Sequence, residues 1–198
     1  MRRPLQRALK RAFDIASCGS IALALAPVFP LIALVVKLES DGPVFFIQER
    51  AGKDAKPFKI YKFRTMTQAP PNHDPTKWSE AEVVRITRIG NIMRDFGIDE
   101  LPQLYNILKG DMSVIGPRPP LLAQAEAYGP RERRMFDMRP GVLSLAAIKG
   151  RRSLSVEDRI RYHVEYVDNW SLLLDLEILL SSLFVVLGRE HAAERIPA

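Results

Sequence analysis

Asp99 and Glu100 are adjacent carboxylates at the start of a helical pattern, and the surrounding sequence supplies Lys62, Arg64, Arg94 and Arg118 as nearby cations. Neighbouring side chains on an α-helix diverge by about 100°, so the pair suits two separate roles better than the sharing of one proton. A helix N-terminus favours ionised carboxylates, and an ionised Asp is a usable nucleophile toward phosphorus. Charge repulsion opposes such an attack, and Arg, Lys or a divalent ion bridging the phosphate oxygens relieves it. Standing alone, Asp-Glu at a helix start is more often a cap matched to the dipole. The supply of cations makes the pair a candidate for phosphate chemistry.

The elements that must position these residues can be read from pattern. Val44–Gln48 and Phe58–Phe63 read as a β-hairpin with a polar loop over Ala51–Pro57, and period-two alternation puts Ile60, Lys62 and Arg64 on one face. That face suits a phosphate, or equally a solvated edge strand. Three prolines make Gln68–Lys77 a loop, and a helix is expected within Glu80–Phe96, ended by Gly97. The next helix is expected over Asp99–Leu108, with Asp99 as N-cap and Pro102 tolerated in the first turn. Gly116-Pro117-Arg118-Pro119-Pro120 must be extended and stiff. Its arginine is thereby held ready to grip a phosphate or a base, though a plain rigid connector has the same pattern. Trp170–Leu187 is apolar but carries Asp175 and Glu177, which reads as a core helix or one lying in a membrane interface.

The chain has 198 residues and a formal charge of +6. This balance favours anionic partners such as phosphorylated ligands or an acidic lipid surface. The basic residues are scattered and no nucleic-acid-binding signature is present, so nucleic acid is not expected as a partner. Cys18 is the single cysteine, which excludes an intramolecular disulfide, and His73, His163 and His191 lack zinc spacing. A hard ion held by carboxylate and phosphate stays open.

Ile15–Val36 carries no formal charge. A straight helix of that length measures about 33 Å, enough to cross the roughly 30 Å hydrocarbon core. A cleaved signal peptide fits poorly, because Pro27 follows Ala24-Leu25-Ala26 directly and the apolar run continues. A spanning helix conflicts with Pro27 and Pro30 near its midpoint and with cations at both ends: Arg2, Arg3, Arg7, Lys10 and Arg11 before, Lys37 after. A re-entrant helix bending at Pro27 satisfies the charge rule, but leaves freed carbonyls that need partners.

Taken together, the sequence resembles the monotopic polyprenyl-phosphate phosphoglycosyl transferases, the bacterial sugar transferase family, of the small monofunctional type. The matching stretches are Lys10-Arg11-Ala12-Phe13-Asp14, Gly42-Pro43-Val44-Phe45-Phe46, Gln48-Glu49-Arg50, Tyr61-Lys62-Phe63-Arg64-Thr65-Met66, Asp99-Glu100-Leu101-Pro102-Gln103-Leu104, Leu108-Lys109-Gly110-Asp111-Met112-Ser113, Gly116-Pro117-Arg118-Pro119 and Tyr166-Val167-Asp168-Asn169-Trp170-Ser171. The resemblance implies transfer of a phosphosugar from a UDP-sugar to undecaprenyl phosphate with release of UMP, the first membrane step in the assembly of a polysaccharide (exopolysaccharide or lipopolysaccharide) or a glycoprotein. Asp99 matches the nucleophile that forms a covalent phosphosugar intermediate, and Glu100 the Mg²⁺-binding partner. Lys62, Arg94, Pro117, Arg118 and Pro119 fall on active-site or nucleotide-recognition positions; Arg64 joins them as a substrate-binding candidate, and Arg151 is similar to a phosphate-binding arginine.

The implied architecture is α+β and predominantly helical, with a small β-hairpin. Residues 1–40 would form a basic N-terminus and re-entrant helix, and residues 41–198 a cytoplasmic catalytic domain with an interfacial C-terminal helix. The implied location is the cytoplasmic face of the bacterial inner membrane, in contact with phospholipid, and a homodimer is left open. Two features depart from the family pattern. Ala26-Pro27 stands where Ser-Pro is usual, and Pro140-Gly141-Val142-Leu143-Ser144-Leu145 lacks the usual Gly-Trp with its following Gln-Val-Asn. A non-catalytic membrane scaffold, or direct transfer with the carboxylates serving as base and metal ligand, are the competing readings.

Overall fold

The computed structural model describes residues 4–70, 83–150 and 154–187. Helices α1 (Pro4–Leu25) and α2 (Val28–Glu39) are bent by 67° across a break at Ala26 and Pro27. Pro27 lacks the N–H that a continuous helix would need there, and Pro30 lies in the first turn of α2, where a missing donor is harmless. No single described helix is long and apolar enough to cross a membrane, although the bent pair passes that test together.

One stripe of α1 faces the protein. Lys10, Asp14 and Cys18, four residues apart, are buried, while Leu5, Leu9, Phe13 and Leu23 are exposed. The Asp14 carboxylate accepts from Ser113 Oγ and Val114 N, and Arg11 donates to the carbonyls of Ile107 and Leu108. Lys10 Nζ reaches Asp175 Oδ2 at 2.8 Å. The N-terminal helix is therefore bolted to the rest of the protein by polar contacts.

The hairpin forms as expected, with longer strands: β1 (Phe45–Ala51) pairs antiparallel with β2 (Pro57–Phe63), placing Phe46 opposite Lys62 and Arg50 opposite Phe58. Helix α3 (Arg88–Asp95) falls in the second half of the segment Glu80–Phe96, where a helix is expected, and begins at a Thr87 cap that accepts from Gly90 N. Helix α4 (Gln103–Lys109) ends at Gly110, whose φ is +102°. A second sheet was not legible in the sequence: β3 (Ser113–Ile115) runs parallel to β4 (Gly141–Leu143). Each strand has only three residues, too few for a periodic signal. Gly141 is required at this pairing, since an added Cβ would lie 2.0 Å from Gly116 N.

Short helices α5 (Leu122–Glu126) and α6 (Leu145–Lys149) precede α7 (Val156–Asn169) and α8 (Leu172–Leu187). Helix α8 buries Asp175, Ile178 and Ser182 and exposes Leu173, Leu176, Leu180 and Leu183, so one face packs and the other is an uncovered apolar stripe. The core beside it joins Ile115, Met138, Leu145, Tyr166, Trp170 and Ile178. Asp175 is the polar hub here: Oδ1 accepts from Tyr166 Oη at 2.6 Å, and Oδ2 from Trp170 Nε1 at 3.0 Å as well as from Lys10.

Candidate active site

Gly97, at φ +69°, ends α3 and starts a tight 3₁₀ turn over Ile98–Glu100. Glu100 N and Leu101 N donate back to Gly97 O and Ile98 O. The α-helix proper begins only at Gln103, after Pro102. The expectation that Asp99 would be the N-cap of a helix over Asp99–Leu108 is thus corrected: no side-chain cap bond forms, and Asp99 is the middle residue of the 3₁₀ turn. Pro102 has no N–H to donate to Ile98 O, so the backbone closes with i→i−3 bonds ahead of it. At three residues per turn, adjacent side chains diverge by about 120°, and the two carboxylates enter different surroundings.

Glu100 is held by two cations. Its Oε1 accepts from Lys62 Nζ at 2.7 Å and from Arg118 Nη2 at 2.6 Å. Burial pushes this carboxyl up, but Arg118 and Lys62 outweigh it and hold the group down at about 2. Asp99 is 8% exposed, and among the described residues it is charges, with no hydrogen bond, that act on its carboxylate. Burial raises its pKa, with Lys62 pulling the other way and Glu100 adding to the rise. The site therefore holds one clamped, acidic carboxylate beside one unclamped, more basic carboxylate.

The cations come from separate elements. Lys62 is on β2, and burial followed by Arg118 lowers its pKa against the pull of Glu100. Arg94, in the last turn of α3, donates through Nε to Thr65 Oγ1 at 2.8 Å, and its charge acts on Asp99. Arg118 follows β3 on the Pro117–Pro120 segment, with its side chain half exposed between the buried Pro117 and Pro119. Arg64 goes elsewhere. It lies one residue beyond β2, and its Nη2 donates to Val36 O and Ser40 O at the C-terminal end of α2. The expected common face of Ile60, Lys62 and Arg64 therefore breaks at the strand end, and Arg64 fastens the bent helix pair. Arg151 lies outside the described residues.

Two adjacent carboxylates fit a Mg²⁺ ion held jointly with substrate phosphates. They do not fit a cage made by protein alone, since no cluster of three or more potential ligands exists among the described residues. Both cations sit on Glu100 Oε1, so Glu100 Oε2 and the neighbouring Asp99 carboxylate are the available protein oxygens.

Two further residues share this electrostatic field. Arg50, at the end of β1, donates through Nη1 to Pro119 O at 3.3 Å and through Nη2 to Gln48 Oε1 at 2.6 Å. It lies in the matched stretch Gln48-Glu49-Arg50, the one signal that could have flagged it. His163 on α7 is 6% exposed, and its Nδ1 is buried without a partner. Burial, then Arg118 and Arg159, hold its pKa at about 4, so the imidazole is neutral at pH 7. Nothing in its spacing marked it.

Comparison with known proteins returns one family. Residues 5–189 match the sequence profile described as Bacterial sugar transferase. The chain is 41% identical over 182 residues to the uncharacterized sugar transferase EpsL of Bacillus subtilis, covering 92% of this chain and 89% of that protein. It is 40% identical over 192 residues to the exopolysaccharide production protein PSS of Rhizobium leguminosarum, covering 91% and 96%. It is also 38% identical over 192 residues to the UDP-glucose:undecaprenyl-phosphate glucose-1-phosphate transferase of Escherichia coli, covering 91% of this chain and 40% of that protein.

Proposed function

The chain belongs to the bacterial sugar transferase family, and on that premise we propose that it transfers a sugar 1-phosphate from a UDP-sugar to undecaprenyl phosphate, releasing UMP. The observation that carries the mechanism is the asymmetry of the carboxylate pair. Glu100 is committed to Lys62 and Arg118, whereas Asp99, which accepts no hydrogen bond among the described residues, is raised in basicity by burial. The more basic, unclamped oxygen is the better nucleophile.

In the first half-reaction an Asp99 oxygen attacks the phosphorus that carries the sugar. The bond from that phosphorus to the UMP oxygen breaks, UMP leaves, and an aspartyl-phosphosugar remains. In the second, an oxygen of the lipid phosphate attacks the same phosphorus and Asp99 is released as carboxylate. Lys62, Arg94 and Arg118 supply positive charge around the phosphates. Glu100 would hold a Mg²⁺ ion jointly with the donor phosphates, and the ion would supply charge neutralisation of the same kind. A water-soluble donor and a membrane-bound acceptor can thus use one pocket in turn.

The bent α1–α2 pair supports placement as a re-entrant helix on the cytoplasmic face of the inner membrane. Both flanks are basic, and exposed apolar residues on α1, α2 and α8 provide a lipid-facing surface. Measuring UMP release from a panel of UDP-sugars, with and without undecaprenyl phosphate, tests the activity. The expected result is lipid-dependent turnover for one or a few donors, and the absence of UMP from every UDP-sugar overturns the assignment.

A further inference from the structure

The segment that presents Arg118 has almost no backbone donors, because Pro117, Pro119 and Pro120 lack N–H groups. It is held through its acceptors instead. Gly141 N donates to Pro117 O at 2.9 Å and Ala51 N to Pro120 O at 3.0 Å. Arg50 Nη1 donates to Pro119 O at 3.3 Å. Arg50 is thus the side-chain tie next to Arg118, and it stands at an antiparallel bridge to Leu121. Its other terminal nitrogen is fixed by Gln48, and its Nε is buried without a partner.

Arg50 and Arg118 carry the same charge at close quarters. Burial, then the charge of Arg118, hold Arg50 down at about 10. Repulsion between two such groups moves the freer one. Arg50 is anchored at both terminal nitrogens, while the Arg118 side chain is 52% exposed and meets Glu100 at 2.6 Å.

We propose that Arg50 is a positioning residue for Arg118: it fixes the Pro119 carbonyl and, by like charge, directs the Arg118 guanidinium toward Glu100 and the donor phosphates. This rests on the reading of Arg118 as a phosphate-binding group. Arg118 meets Glu100, whereas Arg50 meets only Pro119 O and Gln48 Oε1, so Arg50 acts through Arg118. In this arrangement Arg50 sets how well the diphosphate is gripped, and leaves recognition of the uridine alone.

The test uses the full chain in lipid nanodiscs, with UDP and uridine as probes. Dissociation constants are measured for wild type, Arg50→Met, Arg118→Gln and the double variant. A hydrogen bond to a charged group corresponds to roughly tenfold or more in affinity, so Arg50→Met should weaken UDP binding about tenfold and leave uridine binding unchanged. If Arg50 acts through Arg118, adding Arg50→Met to Arg118→Gln should change UDP affinity by less than about twofold. Additive losses, or equal losses for UDP and uridine, overturn the positioning role. Wild-type UDP affinity in Arg118→Gln removes the phosphate-binding reading itself, and the inference falls with it. Should Arg50→Met fail to fold, Arg50→Lys keeps the charge, loses the two-pronged contact and supports the same comparison.

Discussion

Replacing Glu100 with Gln should change how the protein's stability depends on pH, by an amount that follows from its two ion pairs. The Glu100 carboxyl falls from an ordinary 4.5 to about 2 in the folded protein, and its side chain is only 17% exposed, so solvent screening is limited. A shift of that size corresponds to about 3 kcal/mol of stability at pH 7. Because the folded value is depressed, this contribution is present above the unfolded value and is lost as pH falls toward 2. Linkage leaves roughly 1 kcal/mol of it at pH 3. Asp99 works in the opposite sense, being raised by burial and in part by Glu100. The stability gap between wild type and Glu100→Gln should therefore be about 3 kcal/mol at pH 7 and narrow by about 1–2 kcal/mol at pH 3. Unfolding followed by tryptophan fluorescence in detergent micelles, at intervals between these limits, measures it. Parallel pH profiles for the two proteins would refute the clamped, depressed Glu100.

Other expectations follow from the same contacts. Asp175→Asn leaves the buried Lys10 without its carboxylate, an unpaired buried charge costing about 3–5 kcal/mol; a fall in Tm on the order of 10 °C should appear in a thermal melt. Gly141→Ala drives a Cβ into the Gly116 backbone and should destabilise by about 2 kcal/mol or more, with at least a tenfold loss of turnover in the UMP-release assay as the Pro117–Arg118 segment shifts. In a Cys18→Ser background, single cysteines replacing Arg7 and Lys56, both exposed, should react with an impermeant maleimide in inside-out vesicles and stay unreactive in spheroplasts. Labelling of the two from opposite sides would establish a spanning helix instead.

The sequence made the hairpin legible because its strands are long enough to alternate and their ends are marked by a turn and prolines. The bend at Ala26–Pro27 was readable from a proline within an apolar run bounded by cations. The carboxylate pair was readable as a pair, but its geometry was not: the i→i−3 turn ahead of Pro102 is a backbone response that helix periodicity does not encode. Arg64 followed the strand pattern in sequence and left it in space, because strand alternation ends at Phe63 and a long side chain can turn toward free carbonyls at a helix end. The β3–β4 pair, the tie from Arg50 to Pro119 and the neutral His163 depend on contacts between distant segments, and no local pattern announces them.

The central claim is that Asp99, rather than its neighbour, carries the phosphosugar. The most direct measurement is mass spectrometry of peptides spanning residues 97–103, after incubating the protein with its UDP-sugar in the absence of lipid phosphate. The account predicts a sugar-phosphate adduct on Asp99 in the wild type, its discharge when undecaprenyl phosphate is added, and neither adduct nor turnover in Asp99→Asn. Full turnover by Asp99→Asn, or wild-type turnover with no adduct on Asp99, would contradict it.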